Sequence, residues 1–273
     1  MPGESDHSVA LANRIRMHSL RMIHTAQASH IGTCLSIADL LAVLYHDFLR
    51  VSPATLNAED RDRFILSKGH GAAALYAVLA ERGFFPIAEL DSYNRDGSRL
   101  TGHASHHVPG VELSTGSLGH GLSVGAGLAL AAKRLNLPYR TVVLLSDGEL
   151  DEGSNWEAAL FAGHHQLDRL VAIVDYNKIQ SYGSVREVLD LEPLTDKWRA
   201  FRWYVTEIDG HQHDQIRSAL NRIPSDSSQP SVLIAHTVKG KGVSYMEHQL
   251  AWHYKSPSQE QLRSALAELE AQP

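Results

Sequence analysis

Two apolar stretches, TVVLLSD at residues 141–147 and LVAIVDYNKI at residues 170–179, decide the fold of this chain. Each is typical of a strand that is buried on both faces of a parallel sheet, and each ends in polar residues. The first ends at Asp147, which Gly148 follows, and the second runs into Asn177, 30 residues after Asp147. One helix and one strand fill that interval. We therefore expect the two strands to be neighbours whose polar ends converge at one edge of the sheet.

The polar groups at these two strand ends are oxygen donors. The Asp147 carboxylate and the Asn177 amide oxygen are hard ligands of the kind that Mg²⁺ and Ca²⁺ prefer, and such ions usually also bind phosphate oxygens and water. An Asp-Gly pair after a strand is more often a simple turn. The spacing to Asn177, rather than the pair itself, therefore favours a metal site.

The rest of the chain alternates helical and strand patterns around these two stretches. Apolar residues recur at helical spacing over residues 9–28 and 37–48, with a small polar loop, ASHIGT, between them at residues 28–33. Three more strand patterns lie at Arg63–Leu66, Tyr204–Asp209 and Val232–Thr237. This alternation predicts one α/β domain over residues 1–273, a parallel sheet with helices on both faces.

The two ends of the chain and one internal segment carry further expectations. Residues 1–10 are expected to form a flexible N-terminus, and residues 256–273 a C-terminal helix that starts near Ser256 in a capping box with Gln259. The polar segment PSDSSQPS at residues 224–231 is typical of a surface loop.

Composition excludes several classes of function. The formal charge is −6 and no basic stripe is present, so binding to nucleic acid is not expected. The apolar stretches are shorter than the roughly 18 residues that span a bilayer, which argues against a membrane protein. The single cysteine, Cys34, cannot form an internal disulfide, and the first residues lack the basic-then-apolar order of a signal peptide. A cytoplasmic location is therefore expected.

The interval from Asp147 to Asn177 resembles the metal–diphosphate signature of thiamine diphosphate enzymes, usually written Gly-Asp-Gly and ending in Asn-Asn or Asp-Asn. This sequence departs from it at Ser146 and Tyr176, which are not metal ligands in the family. Six blocks, in the family's order, resemble transketolase over roughly residues 16–257: SHIGTCLSIADLLAVLY, DRFILSKGHGAAALYAVLAERGFF, GVELSTGSLGHGLSVGAGLAL, SDGELDEGSNWEAALFAGHH, LVAIVDYNKIQ and KGKGVSYMEHQLAWHYKSP. The resemblance implies the diphosphate-binding (PP) domain of the thiamine-diphosphate-binding fold.

The resemblance also implies a metal site and a set of histidines. Asp147, Asn177 and the backbone carbonyl of Ile179 match the ligands of Mg²⁺, for which Ca²⁺ or Mn²⁺ could substitute. Four histidines match those that line the family's cofactor and donor-sugar site: His30, His70, His103 and His253. His70 and His253 would contact the diphosphate, and His30 and His103 the donor hydroxyls. We expect His30, His103 and His253 to serve catalysis.

Other positions match the family's cofactor contacts. Gly116 and Leu118 match residues whose backbone reaches the central part of the cofactor, and Gly148 would contact the diphosphate through its N–H. Glu152 and Glu157 match acidic residues near the dimer axis that connect two active sites. Glu152 is therefore predicted to serve both catalysis and cofactor binding, whereas a glutamate on a helix surface such as Glu157 is commonplace.

The family's catalytic glutamate, which protonates the aminopyrimidine ring of the cofactor, lies in a separate pyrimidine-binding domain. We expect a partner chain to supply that domain, in an assembly with two copies of each chain. The reaction implied is the transfer of a two-carbon glycolaldehyde unit from a ketose to an aldose. Pentose phosphates are the default substrates, and a modified or sulfonated sugar stays open.

Two other interpretations stay open. Deoxyxylulose-phosphate synthases and 2-oxo acid dehydrogenase subunits share the signature from Asp147 to Asn177, although the blocks SKGHG, TGH and AWH, with KGKG, favour transketolase. The other is a cofactor-binding module without turnover.

Overall fold

A five-stranded parallel sheet forms the centre of the computed structural model, which describes residues 4–223 and 228–271. The strands are β1 (Arg63–Leu66), β2 (Thr141–Ser146), β3 (Leu170–Tyr176), β4 (Tyr204–Asp209) and β5 (Ser231–His236). Their order across the sheet is β1-β2-β3-β5-β4, and every neighbouring pair is parallel. The five predicted strands are confirmed, and so is the predicted pairing of β2 with β3.

Helices cover both faces of the sheet. In the described ranges they are α1 (Glu4–Ala26), α2 (Ile31–Ser36), α3 (Ala38–Val43), α4 (Ala72–Glu81), α5 (Gly121–Leu135), α6 (Gly153–His164), α7 (Val185–Val188), α8 (Leu194–Ala200), α9 (His213–Asn221) and α10 (Gln259–Glu270). Residues Leu44–Phe48 continue α3 as a π-helical turn. None of the helices described is both long and apolar enough to cross a membrane.

Alternate residues of the central strands enter two hydrophobic cores. Val142 and Leu144 of β2 join the core that α1, α3, α4, α9 and α10 cover. Val143 and Leu145 join the other core, with α5, α6 and α8. Because every residue of β2 and β3 is buried, these strands are apolar apart from Thr141 and Ser146 at the two ends of β2 and Asp175 near the end of β3. The predicted α/β fold with helices on both faces is confirmed.

The register of β2 and β3 brings their polar ends together. Ser146, the last residue of β2, pairs with Asp175 of β3. Asp147 and Asn177 therefore follow at the same edge of the sheet. The geometry that the sequence predicted for these two strand ends is present.

The segment before α3 differs from its prediction. Residues 28–33 were expected to be a loop, but α2 begins at Ile31, and His30 is its N-cap residue with a φ of 76°. All six residues of α2 are buried. Packing therefore makes the Gly-Thr-Cys stretch helical despite its weak helix propensity.

The N-terminal segment also differs from its prediction. Residues 4–10, expected to be flexible, form the first turns of α1. Ser8 is fully buried there, and its hydroxyl lies 2.8 Å from Nδ1 of His213. This contact joins the start of the chain to the start of α9.

The C-terminal helix begins two residues later than the expected cap. Ser258, not Ser256, is its N-cap residue and forms a capping box with Gln261. The Ser256 hydroxyl instead donates to the carbonyl of Ile23. Residues 224–227 of the predicted surface loop, and residues 272–273 of the predicted C-terminal helix, lie outside the described residues.

Helix α5 packs closely on β2 because Gly125 has no side chain. A Cβ atom at Gly125 would lie 2.5 Å from Cγ2 of the buried Val143, whereas one at Gly127, two residues later, would meet no atom within 4 Å. Both positions lie inside the same helix. Alanine at either one therefore gains the same helix propensity, about 1 kcal/mol.

Gly125→Ala is expected to have a free energy of unfolding about 1–3 kcal/mol below that of Gly127→Ala, because the added methyl group overpacks the contact with Val143. Gly127→Ala, the matched control, should be as stable as the wild type or more stable by up to about 1 kcal/mol. Chemical denaturation measures both. Equal stability of the two variants would contradict the close packing of α5 on β2.

Candidate active site

A cavity of about 230 Å³ lies at the edge of the sheet where β2 and β3 end. Its walls come from α2, the turn before α4, the loop before α5 and the segments after β2, β3 and β5. The lining residues are His30, Thr33, His70, His103, Gly116, Leu118, Ser146, Asp147, Gly148, Asn177, Ile179, Gln180, Ser181, Lys239 and His253.

All of the predicted site residues except Glu152 line this cavity. Glu152 is exposed at the N-cap of α6 and lies outside the lining, as does the exposed Glu157. The sequence therefore predicted which residues meet, with one exception. Their individual roles stay predictions.

Asp147 joins the end of β2 to the turn after β3. Its buried carboxylate accepts the N–H of Gly148 at 2.8 Å and the N–H of Lys178 at 2.6 Å. Both of these donors are backbone groups. Burial and the neighbouring charge of Asp175 raise the pKa of Asp147 to about 6. This carboxylate lies in a site that favours the arrival of a cation.

Asn177, the first residue after β3, is oriented by Asp175 of that strand. A carboxylate oxygen of Asp175 can only accept, so the Asn177 side-chain NH₂ donates to it, at 3.0 Å. The Asn177 amide oxygen therefore faces the other way, where it accepts the N–H of Ile179 at 3.1 Å. Asp175 thus sets which atom of Asn177 is offered as a ligand.

A buried lysine neutralises Asp175. The side chains of Lys68 and Asp175 are both fully buried and form an ion pair. Hydroxyl groups of Ser36 and Thr237 also donate to the Asp175 carboxylate. Burial raises the pKa of Asp175, but Lys68 and the hydroxyls of Thr237 and Ser36 together hold that pKa below its usual value. Neither residue of this pair was assigned a role from the sequence.

Four imidazoles form one wall of the cavity, with His30 at the centre. The ring centroid of His30 lies 5.2 Å from that of His70, 5.8 Å from that of His103 and 5.1 Å from that of His253. Its backbone N–H donates to the His253 carbonyl at 3.0 Å, which fixes its left-handed backbone. Burial, followed by nearby charges, lowers the pKa of His30 to about 4 and that of His253 to about 3. Both rings are therefore neutral at pH 7.

Lys239 is a site residue that the sequence did not reveal. It is 2% exposed, and its Nζ donates to the Ile179 carbonyl at 2.9 Å and to Nδ1 of His253 at 3.0 Å. Burial lowers the pKa of Lys239 to about 8, against the attraction of Asp147. Lys241, two residues later, keeps 37% of its side chain exposed. Nothing in the run KGKG distinguishes the two lysines, so only the fold identifies Lys239.

The glycine-rich loop before α5 is held by Glu149, a buried residue that was also missed. Its carboxylate accepts the N–H of Gly119 at 2.9 Å and the hydroxyl of Ser67. Within the loop, a Cβ atom at Gly116 would lie 2.9 Å from Cδ2 of His103. Only glycine leaves room for His103 at that position.

The donor set at the strand ends fits a divalent cation. The Asp147 carboxylate, the Asn177 amide oxygen and the Ile179 carbonyl are hard oxygen donors, and a cation would stabilise the buried charge of Asp147. In the part of the chain that the structure describes, no group of three His, Cys, Asp or Glu side chains could hold a metal. An ion here would therefore need further oxygens from a bound ligand or water.

The same cavity offers donors for an anion. The Lys239 ammonium and the imidazoles of His70 and His253 line it together. The N–H of Gly148, predicted to contact a diphosphate, donates here to the Asp147 carboxylate. A cation beside an anion therefore matches the cavity better than either alone.

Lys68→Met is expected to lower the free energy of unfolding by about 3–5 kcal/mol, because it leaves the Asp175 carboxylate buried without its cation. The control is Arg199→Met, which removes an ion pair with Asp196 whose side chains are 60% and 69% exposed. That loss should be about 0–1 kcal/mol. Chemical denaturation measures both variants, and similar losses would contradict a structural role for the buried pair.

Comparison with known proteins identifies the family. The model of the family described as "Transketolase, thiamine diphosphate binding domain" matches residues 7–270. The 6-deoxy-6-sulfo-D-fructose transketolase subunit SqwG of Clostridium sp. (strain MSTE9) is 45% identical over 95% of this chain and 94% of its own length. One of the subunits of the apulose-4-phosphate transketolase of Phocaeicola vulgatus is 44% identical over 94% of this chain and 91% of its own length.

A solved structure shows the same fold within a longer chain. Transketolase from Campylobacter jejuni matches with a TM-score of 0.92 and 30% identity, over 99% of this chain but 43% of the solved one. The chain thus spans less than half of that transketolase. The family resemblance seen in the six sequence blocks is confirmed, and this chain belongs to the transketolase family as a thiamine diphosphate binding domain.

Proposed function

We propose that this chain is the cofactor-diphosphate subunit of a two-chain transketolase, which transfers a two-carbon glycolaldehyde unit from a ketose to an aldose. The observation that carries the proposal is the convergence of Asp147, Asn177 and the Ile179 carbonyl at one edge of the sheet, in a cavity lined by four imidazoles. The match to relatives that are themselves named as transketolase subunits supports it.

The residues at the strand ends would hold Mg²⁺ and the diphosphate. Asp147, Asn177 and Ile179 would ligate the ion, and Ca²⁺ or Mn²⁺ could replace it. Lys239 donates to Nδ1 of His253, so the proton of that neutral imidazole lies on Nε2 and can be donated to a phosphate oxygen. His70 and the Lys239 ammonium would complete the anion site.

Two further imidazoles would act on the sugar. When bound, thiamine diphosphate supplies a thiazolium ring that can stabilise a carbanion. His30, neutral at pH 7, and His103 can each donate a hydrogen bond to a hydroxyl group of the donor sugar and accept one from it. Because burial lowers the pKa of His30 to about 4, it keeps this double capacity across the physiological pH range.

A partner chain would supply the remainder of the active site. The cavity of about 230 Å³ is smaller than the roughly 300–1,000 Å³ of typical small-molecule pockets, as expected if a second chain forms the other wall. We propose that this partner carries the pyrimidine-binding domain and its catalytic glutamate, in an assembly of two copies of each chain. Glu152, exposed outside the cavity, would act at the contact between chains.

The donor sugar is proposed by class. The two relatives described above are named for 6-deoxy-6-sulfo-D-fructose and for apulose 4-phosphate. Both of these sugars, like the pentose phosphates, belong to the class of ketoses with an anionic group at the far end. We propose such a ketose as the donor for this chain.

Asp147→Asn and Asn177→Ala should each raise the dissociation constant of thiamine diphosphate, measured with Mg²⁺ present, by at least about 100-fold, because the first removes the negative charge of one metal ligand and the second removes the other ligand. Asp214→Ala, which changes an aspartate that is 84% exposed in α9, is the control and should bind normally. Calorimetry on the assembled complex measures affinity, and circular dichroism checks folding. Unchanged affinity in folded Asp147→Asn would contradict the site assignment.

His30→Ala and His103→Ala should lower kcat by about 100-fold or more while the affinity for thiamine diphosphate stays near that of the wild type, because these imidazoles would act on the sugar. The control is His164→Ala, an exposed position at the end of α6. Steady-state kinetics and calorimetry give the two quantities separately. A large loss of cofactor affinity with normal kcat would show that the assignment of roles is wrong.

A further inference from the structure

The turn that carries Lys239 is fixed at several points after β5. The Thr237 hydroxyl donates to the Asp175 carboxylate, and the Gly240 N–H donates to the Gly32 carbonyl at 2.9 Å. Between them, the Val238 N–H donates to Nε2 of His211 at 2.8 Å. His211 is outside the cavity lining, in the segment between β4 and α9. It thus acts on the residue next to Lys239 without facing the site.

The hydrogen bonds of His211 settle where its proton lies. A backbone N–H can only donate, so Nε2 of His211 accepts from Val238 and carries no proton. The other nitrogen, Nδ1, lies 2.7 Å from Oδ2 of Asp39, and it therefore donates to that carboxylate. The imidazole is a neutral bridge from Asp39 to the backbone before Lys239.

Asp39 is a rigid anchor for this bridge. Its side chain is 7% exposed, and it forms an ion pair with Arg16 of α1, whose side chain is also 7% exposed. Burial raises the pKa of Asp39, but Arg16, His211 and His213 together hold that pKa well below its usual value. The carboxylate is therefore a permanent acceptor that joins α1, α3 and the segment after β4.

His213 provides an internal comparison. Its Nε2 lies 3.1 Å from the other carboxylate oxygen of Asp39, so both histidines share one anchor. Its Nδ1 meets the Ser8 hydroxyl in α1 at 2.8 Å. His213 therefore belongs to the same buried cluster but has no hydrogen bond to the turn at Val238. An effect that is specific to that turn is therefore expected when His211 is substituted and not when His213 is substituted.

Small displacements of this turn would reach the site directly. The stem of Lys239 runs against Gly32, where a Cβ atom would lie 3.1 Å from Cγ of Lys239. Its Nζ holds the Ile179 carbonyl and Nδ1 of His253 at the same time. One ammonium group therefore contacts both a proposed metal ligand and a proposed diphosphate ligand.

We infer that His211 is a positioning residue for the cofactor site: through the Val238 N–H it holds the turn that places the Lys239 ammonium between Ile179 and His253. This inference rests on the proposed function for the role of Lys239 in cofactor binding. The bridge itself, from Asp39 through His211 to Val238, does not depend on that function.

Two substitutions at His211 separate its two hydrogen bonds. His211→Asn places an amide near the position of Nδ1, so it keeps a donor for Asp39 but loses the acceptor for Val238. His211→Gln places an amide oxygen near the position of Nε2 and restores that acceptor. His213→Asn is the matched control, because it disturbs the same anchor without touching the turn. The full-length chain, assembled with its partner, is used for all binding measurements.

His211→Asn is expected to raise the dissociation constant of thiamine diphosphate with Mg²⁺ by about fivefold to tenfold, the value of one lost hydrogen bond, and His211→Gln to restore it. His213→Asn should lower the melting temperature and leave the dissociation constant unchanged. In crystals of cofactor-free His211→Asn, Lys239 Nζ should no longer lie within hydrogen-bond distance of the Ile179 carbonyl.

Two results would overturn the inference. One is an unmoved Lys239 in cofactor-free His211→Asn, and the other is an equal loss of cofactor affinity in His211→Asn and His213→Asn, which would indicate a general effect of the Asp39 cluster. Failure of the proposed function is distinguishable, because the wild-type complex would then not bind thiamine diphosphate. In that case the cofactor-free crystals still decide whether His211 positions Lys239.

Discussion

The parallel pairing of β2 with β3, with Ser146 opposite Asp175, is the constraint on which the rest of the structure depends. This register brings Asp147 within 2.6 Å of the Lys178 N–H and sets Asn177 beside it. A shift of one residue would move each side chain of the strand from its own core into the opposite one. The packing of the two cores therefore holds the register. The two cores thus maintain the position of two polar groups that lie outside both of them.

Charge in the cavity and in the buried layer beside it is balanced in part by the protein and in part by what the cavity would bind. Asp175 has its cation in Lys68, and both are fully buried. Asp147 is held by backbone donors, and Lys239 by a carbonyl and an imidazole. A divalent cation would stabilise the charge of the Asp147 carboxylate, and a diphosphate would stabilise the charge of the Lys239 ammonium. A metal–diphosphate ligand would therefore satisfy both groups at once, which neither an ion nor a phosphate alone would do.

The sequence predicted the sheet and the meeting of Asp147 with Asn177 because both depend on local patterns, whereas the other predicted residues of the cavity came from the resemblance to transketolase. Buried parallel strands are mostly apolar, and Asp147 and Asn177 come directly after β2 and β3 end. Lys239, Lys68 and Glu149 were missed because their burial results from tertiary packing, which leaves no periodicity in sequence. The same cause explains α2, whose helix depends on burial, and α1, whose first turns are anchored by the contact from Ser8 to His213. Glu152 was placed in the site by the same resemblance, but in this chain it is exposed outside the cavity.

The central claim is that one divalent ion binds between Asp147, Asn177 and the Ile179 carbonyl and holds a diphosphate there. Anomalous diffraction from crystals grown with Mn²⁺ and thiamine diphosphate tests it most directly, because Mn²⁺ gives a signal that Mg²⁺ does not. We predict one strong peak about 2.0–2.3 Å from oxygens of all three residues and bridged to two phosphate groups. Ordered cofactor with its ion bound elsewhere, or no peak between these residues, would contradict it.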